Sequence, residues 1–116
     1  MLDTRTKIVS AEEALARLAG RPLVAAYFDP LVATHTQRLH ELGGQYGPLA
    51  ICICDPPDPL LPAQARAELA AACRDVEIVV IGAEVLSHVT KIIDERPGDL
   101  DRRAALIQHV HSRQNG

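Results

Sequence analysis

Aromatic residues are scarce in this chain of 116 residues, which has no tryptophan, one phenylalanine and two tyrosines. A core built around large rings is therefore excluded, and the core must consist of Leu, Ile, Val and Ala. Hydrophobic residues make up 47% of the sequence, which excludes a disordered chain. The length is that of one domain, so we expect a single domain over residues 1–116.

Long apolar runs are also lacking. No segment approaches the roughly 20 apolar residues that cross a bilayer, so we expect neither a membrane-spanning helix nor a membrane partner. Residues 1–7 are polar and do not contain the apolar region of a signal peptide. The expected location is therefore the cytoplasm.

An excess of positive charge is absent as well. The chain has 12 basic and 15 acidic residues, for a net charge of −3. The basic residues are scattered, and Arg102 and Arg103 form the only adjacent pair. Nucleic acid is therefore not expected as a partner, because its binding needs a clustered basic surface.

Cysteine is limited to three residues. Cys52 and Cys54 are two apart in an apolar run, so in a strand they share one face, where parallel side chains do not readily form a disulfide. A Cys-x-Cys spacing without a second pair is not a metal-binding pattern. We expect buried free thiols and no metal site.

Apolar runs alternate with helical patterns along the chain. The runs predict buried strands over 23–28, 49–54 and 77–81. Helices are predicted over 11–18, 33–42, 62–74, 83–94 and 100–112. This alternation predicts an α/β fold, a Rossmann-like parallel sheet of three to five strands. The strand over 23–28 is expected at its centre, with helices on both faces.

Several boundaries and faces follow from the same patterns. Gly43 and Gly44 are expected to end the second helix, and Pro97 and Gly98 to break the chain before the last one. The last helix is then predicted to have a solvent-exposed start, which consists of Glu95, Asp99 and Asp101. The predicted apolar faces are Ala65, Leu69, Ala72 and Cys73 for the third helix, and Ala104, Ile107 and Val110 for the last.

The turn between the first strand and the second helix carries the most specific signal. Its residues run Phe28-Asp29-Pro30-Leu31-Val32-Ala33-Thr34-His35. A strand, a tight turn and a polar residue at the start of a helix often hold a phosphate. The segment resembles the signature of the cytidylyltransferase-like nucleotidyltransferases, which include heptose-phosphate adenylyltransferases and glycerol-phosphate cytidylyltransferases.

In that family a Gly-x-Phe-Asp turn is followed by His-x-Gly-His. Phe28, Asp29 and His35 match the motif, whereas Val32 stands at the first histidine and Thr34 at the second glycine. Ala26 replaces the glycine of the turn. Two further blocks, 7–14 and 64–80, are similar to family segments in the same order, so the resemblance covers roughly residues 7–81.

The resemblance implies a set of site residues. The family's nucleotide lies near an arginine that matches Arg66, and an acidic residue often follows the second strand, where Asp55 stands. Nucleotide-binding residues are therefore expected to be Phe28, Asp29, His35, Asp55 and Arg66, with any residual catalysis at His35. The implied cofactor is Mg²⁺, bound with a nucleoside triphosphate.

The departures from the family weaken the implied activity. The loop over 58–61 has no lysine for the phosphates, and no Ser-Thr-Thr-like helix start is evident. We therefore expect a degenerate domain that binds a nucleotide or sugar phosphate with little or no nucleotidyl transfer.

Two alternatives remain open. One is an active minimal enzyme that uses CTP or ATP and a phosphorylated sugar or polyol, with Lys7, Arg38 or Lys91 as a substitute basic group. The other is a non-catalytic interaction module that forms a homodimer, because three strands leave apolar edges to be covered.

Three site residues also have a purely structural interpretation. His35 lies on an apolar stripe with Leu39 and Leu42, where a histidine often only packs. Arg66 is as consistent with a solvated helix surface as with a phosphate contact. Asp29 is suited to capping the helix that follows it.

Overall fold

A computed structural model describes the backbone of residues 3–115, and the side-chain surroundings of these residues except His111, Gln114 and Asn115. Its centre is a four-stranded sheet with the order β3-β2-β1-β4 and only parallel pairs. The strands are β1 (Leu23–Ala26), β2 (Leu49–Ile53), β3 (Val76–Ile81) and β4 (Ile92–Asp94). The predicted α/β class and the central position of the first strand are confirmed.

Within residues 3–115, four α-helices accompany the sheet: α1 (Ala11–Arg17), α2 (Ala33–Tyr46), α3 (Ala63–Ala71) and α4 (Arg96–Asn115). Two short 3₁₀ helices cover Thr4–Lys7 and Ala83–His88. The start of α1 is capped by Ser10, whose side chain accepts from the Glu13 N–H at 3.1 Å. In the part of the chain described, no helix is both long enough and apolar enough to cross a bilayer.

The sheet is buried on both faces, because alternate side chains of its strands point to opposite sides. On one face Val24 and Ile51 pack against α2 and α3, and on the other Leu23 and Ile78 pack against α1. The two layers explain why β1 and β2 read as continuous apolar runs rather than as alternating ones. Cys52 and Cys54 belong to the second layer and are buried free thiols, as predicted.

The predicted helix over 83–94 is wrong. This segment forms the 3₁₀ helix Ala83–His88 and then β4, which pairs with β1. The Leu23 N–H donates to the Lys91 carbonyl, and the Glu95 N–H to the Ala25 carbonyl. The open edge of β1 therefore draws residues 92–94 into the sheet, and this long-range pairing outweighs the local helical spacing.

Two predicted helix boundaries are also wrong. Helix α2 continues through Gly43 and Gly44 to Tyr46 and is ended by Gly47, whose φ of 81° suits only glycine well. Gly43 serves packing instead, since a Cβ there would lie 2.8 Å from the Asp75 carboxylate. Pro97 does not break α4 but lies in its first turn, where a missing N–H costs nothing.

The inward faces of α3 and α4 differ from the prediction. Helix α3 buries Arg66, Ala67, Ala70 and Ala71, while Leu69 is 43% exposed. The small alanine side chains allow α3 to approach the sheet closely. The larger Leu69 side chain on this face would hold the helix and the sheet further apart. On α4, Ile107 and Val110 are exposed rather than inward-facing.

Helix α4 lies across the carboxyl-terminal edge of the sheet. Its first turn contacts the end of β1 through Asp99, and Arg103 donates to the carbonyls of Pro57 and Asp58. Further along, Leu106 and Val110 line one side of a groove with the loop after β2. This helix therefore covers the edge where sites of parallel sheets usually lie.

Candidate functional site

The residues singled out from the sequence gather at the carboxyl ends of β1 and β2. On one side of β1 the neighbouring strands are β2 and then β3, and on its other side the neighbour is β4. The chain order therefore reverses between β1 and β4, and ligands of open parallel sheets bind at such a point. Phe28 and Asp29 follow β1, and Asp55 follows β2, at this edge.

The turn after β1 directs backbone donors towards one carboxylate. The Tyr27 N–H donates to Asp99 Oδ2 at 2.8 Å, and the Phe28 N–H lies 3.4 Å from the same oxygen. Phe28 has a φ of 49°, which is costly for a bulky residue and persists only where its surroundings hold it. Its ring packs edge-on against His35 at 5.3 Å between centroids.

His35 supplies a third donor beside that carboxylate. Its Nδ1 accepts from the Val32 N–H at 2.9 Å, so in the neutral ring the proton must be on Nε2. Nε2 lies 3.1 Å from Asp99 Oδ1, but it is buried without a well-aligned hydrogen-bond partner. The distance marks an electrostatic contact, and the misalignment leaves the donor only partly satisfied. We call the Tyr27 N–H, the Phe28 N–H and His35 Nε2 the donor cluster.

Asp29 holds the proline-rich loop rather than α2. Its two carboxylate oxygens accept from the backbone N–H groups of Leu60 and Leu61, at 2.7 and 2.8 Å. The side chain is 3% exposed, and the expected cap on the following helix is therefore wrong. Leu60 and Leu61 lie between Pro59 and Pro62, which have no backbone N–H. The N–H groups of the two leucines are therefore the donors that this part of the loop can offer to a carboxylate.

Arg66 is buried at 1% exposure, so its interpretation as a solvated helix residue is wrong. Its guanidinium donates to three carbonyls, those of Leu61, Tyr27 and Cys54, and its Nη2 donates to Asp55 at 2.6 Å. These bonds tie together the ends of β1 and β2 and the start of α3. The expected contact with a nucleotide stays a prediction, and in this conformation the guanidinium offers no open face to a ligand.

Three other arginines of this edge are engaged with acidic residues, whereas Arg103 donates to the loop carbonyls of Pro57 and Asp58. The three pairs join Arg38 to Glu95, Arg96 to Asp94 and Arg102 to Asp99. The hydrogen bonds from Arg96 lower the pKa of the Asp94 carboxyl below its usual value. Each pair leaves little net positive charge for a phosphate.

Two of the proposed substitute basic residues lie at the opposite edge of the sheet. Lys7 donates to the Cys73 carbonyl and lines a pocket with Val76, the first residue of β3. Lys91 directly precedes β4, and its side chain reaches the Gly20 carbonyl. Only Arg38 lies at the carboxyl edge, and it is already paired. This distribution removes two of the three candidates for an active minimal enzyme.

A pair of thiols stands beside the same edge. Cys52 Sγ and Cys54 Sγ are 3.9 Å apart. The Cys52 thiol and the nearby Arg96 guanidinium favour a thiolate at Cys54, and its pKa is lowered to about 7, while that of Cys52 is raised. Both side chains are buried, which limits their reactivity with solutes.

Metal ligands are not gathered within the described residues. No group of three or more His, Cys, Asp or Glu side chains there is placed to hold an ion.

Comparison of the chain with protein-family models and with curated proteins finds no match. Function must therefore be argued from the site.

Sequence reasoning missed Asp99, the residue on which the donor cluster converges. The sequence predicts a solvated helix start at this position, and that prediction is wrong, because Asp99 is 3% exposed. The available signal was its position in the first turn of α4, three residues before Arg102, with which it pairs at 3.3 Å. That signal does not distinguish a surface pair from a buried one, because only the fold brings residues 27 and 99 together.

Proposed function

We propose that this domain binds a nucleotide or sugar phosphate through the donor cluster and catalyses little or no nucleotidyl transfer. The proposal combines the resemblance to cytidylyltransferase-like proteins with the arrangement at the carboxyl end of β1. The observation that carries it is the convergence of two backbone N–H groups and one imidazole on a single buried anion, Asp99. Donors that surround a carboxylate in this way can also surround a phosphate oxygen.

The electrostatics favour binding over catalysis. Catalysis of nucleotidyl transfer needs fixed positive groups at the reacting phosphate, and the arginines nearest the cluster are paired with carboxylates. Backbone N–H groups and an imidazole N–H can still orient a phosphate. We therefore regard the domain as a ligand-binding relative of an enzyme fold.

His35 provides the first test of this proposal. Changing His35 to Ala is expected to weaken the binding of CTP or ATP by about 1–2 kcal/mol, the scale of one hydrogen bond to a charged group. The measurement is calorimetric titration with and without Mg²⁺. His40→Ala is the matched control, because His40 lies on the same helix with its side chain 81% exposed.

The loss of the His35 ring also removes the acceptor for the Val32 N–H. His35→Asn separates the two effects, because its amide oxygen can accept from that N–H while the Nε2 donor is gone. Weaker binding in both variants supports a ligand contact. Unchanged nucleotide affinity in both would return His35 to a purely structural role.

A second candidate function, an interaction module, is favoured by one surface. Pro30 and Leu61 face Ile107 and Val110 across an apolar groove of about 340 Å³, which Leu60 and Leu106 complete. Leu60, Ile107 and Val110 are exposed at 53%, 39% and 45%. The sheet edges leave less unpaired backbone for a partner than expected, because the edge strand β4 has only three residues. At the other edge, Ile8 forms a bridge to Val79 of β3.

Dimerisation through this groove predicts a concentration-dependent sedimentation coefficient. We expect a dimer at high micromolar concentration and a monomer for Val110→Asp, because a buried unpaired charge would oppose association. Gln108→Asp, at an exposed position of the same helix, is the control. A monomer at all concentrations would reject the dimer and leave α4 as a cover for its own chain.

A further inference from the structure

Asp99 is the buried anchor of a helix that is otherwise loosely attached. Among the α4 side chains that the structure describes, Asp99 is the only buried one. The second anchor is Arg103, which donates to two loop carbonyls at the surface, at 2.8 and 2.7 Å. The third attachment of α4 is its apolar contact along the groove, where Ile107 and Val110 remain exposed. Elements with few buried contacts open at low free-energy cost.

The Asp99 carboxylate occupies donors that an external anion could use. The backbone donors belong to the turn after β1, and the third donor, His35 Nε2, is buried and poorly aligned with Asp99. The Phe28 N–H is also long for a hydrogen bond, at 3.4 Å. The same carboxylate also accepts from Arg102 Nη1 at 3.3 Å, so it satisfies the three donors of the cluster only in part. A phosphate group offers more oxygens and more charge to the same donors.

We propose that α4 is a displaceable lid, and that the Asp99 carboxylate occupies the position that a phosphate group of the ligand takes when it binds. The inference rests on the proposed function and adds a means of regulation to it. The open form, with Asp99 withdrawn, binds the ligand. Because apparent affinity falls with the fraction of molecules in the competent form, Asp99 acts as an internal competitor.

Pyrophosphate binding to the unmodified chain and its variants tests the inference, because this probe needs no base or sugar contacts. Asp99→Asn keeps the shape of the side chain but loses its charge, so it should bind pyrophosphate at least about tenfold more tightly than the unmodified protein. Asp101→Asn removes the same charge from an exposed position of α4 and should change affinity by less than about twofold.

Arg103→Ala supplies an independent variant. It weakens the attachment of α4 without altering the donor cluster, so it should also tighten pyrophosphate binding. The loss of a positive charge would by itself weaken the binding of an anion, so tightening identifies the lid. Hydrogen exchange gives a second readout: amide protons of α4 should exchange faster when pyrophosphate is bound to the unmodified protein.

The outcomes separate the two proposals. Tighter binding by Asp99→Asn and Arg103→Ala supports the lid, even where the unmodified protein binds too weakly to measure. Equal affinity in all variants, or α4 exchange that does not change when the unmodified protein is saturated with pyrophosphate, overturns the lid and leaves the proposed binding function standing. Absence of pyrophosphate binding in every protein, Asp99→Asn included, overturns both.

Discussion

Replacing Arg66 with Ala is expected to lower the free energy of unfolding by about 3–5 kcal/mol, because several buried carbonyls lose their donor, and this is a large part of the stability of a domain this size. The guanidinium is 1% exposed and is the hydrogen-bond donor to the carbonyls of Leu61, Tyr27 and Cys54. Its removal leaves three acceptors without that partner at the junction of β1, β2 and α3. Chemical denaturation followed by circular dichroism measures the change.

Two variants sharpen this prediction. Arg66→Lys keeps the charge but cannot direct donors to four acceptors, so it should lose most of the same stability. Gln64→Ala, at an exposed position of the same helix, should have little effect. Normal stability in Arg66→Ala together with lost nucleotide binding would contradict the structural role and assign Arg66 to the ligand.

The unmodified protein is expected to release no appreciable pyrophosphate from CTP or ATP with glycerol phosphate or heptose phosphate as acceptor. Val32 offers no donor where the resembling family has its first histidine, and residues 58–61 offer no lysine. One preorganised donor is worth about 3–4 kcal/mol of barrier. A combined loss of roughly 5 kcal/mol slows the reaction by about 10³- to 10⁴-fold.

A coupled assay of pyrophosphate release, with and without Mg²⁺, measures this activity. His35→Ala sets the background, and we expect the unmodified protein to be indistinguishable from it. Rapid turnover that disappears in the His35 variant would contradict the non-catalytic interpretation and support an active minimal enzyme, with Arg38 as its remaining basic candidate at this edge.

The sheet was predictable because its signal is local and strong. The runs that became β1 and β2 are apolar and buried throughout, and β3 departs from this pattern only at Glu77 and Ile81. The spacing of the three runs by helical segments implies parallel pairing. β4 was not predictable in the same way. It has three residues, two of them exposed, and it is a strand only because β1 offers an unpaired edge.

The site was predictable in part, for a related reason. Phe28, Asp29 and His35 are close in sequence, so one motif brings them together. The partners of their polar groups are distant: Asp29 binds loop residues 60 and 61, and His35 meets Asp99. Such pairings depend on how α4 and the proline-rich loop pack at the edge of the sheet, which no local pattern encodes.

Backbone amide signals of Tyr27 and Phe28 provide the most direct test of the central claim, that the donor cluster is a phosphate-binding site. The measurement is a nuclear magnetic resonance titration of the unmodified protein with CTP or ATP, with and without Mg²⁺. The account predicts saturable shifts of these two signals at millimolar ligand, together with the His35 ring signals. Signals that stay in place at saturating ligand, or shifts confined to another surface, would contradict it.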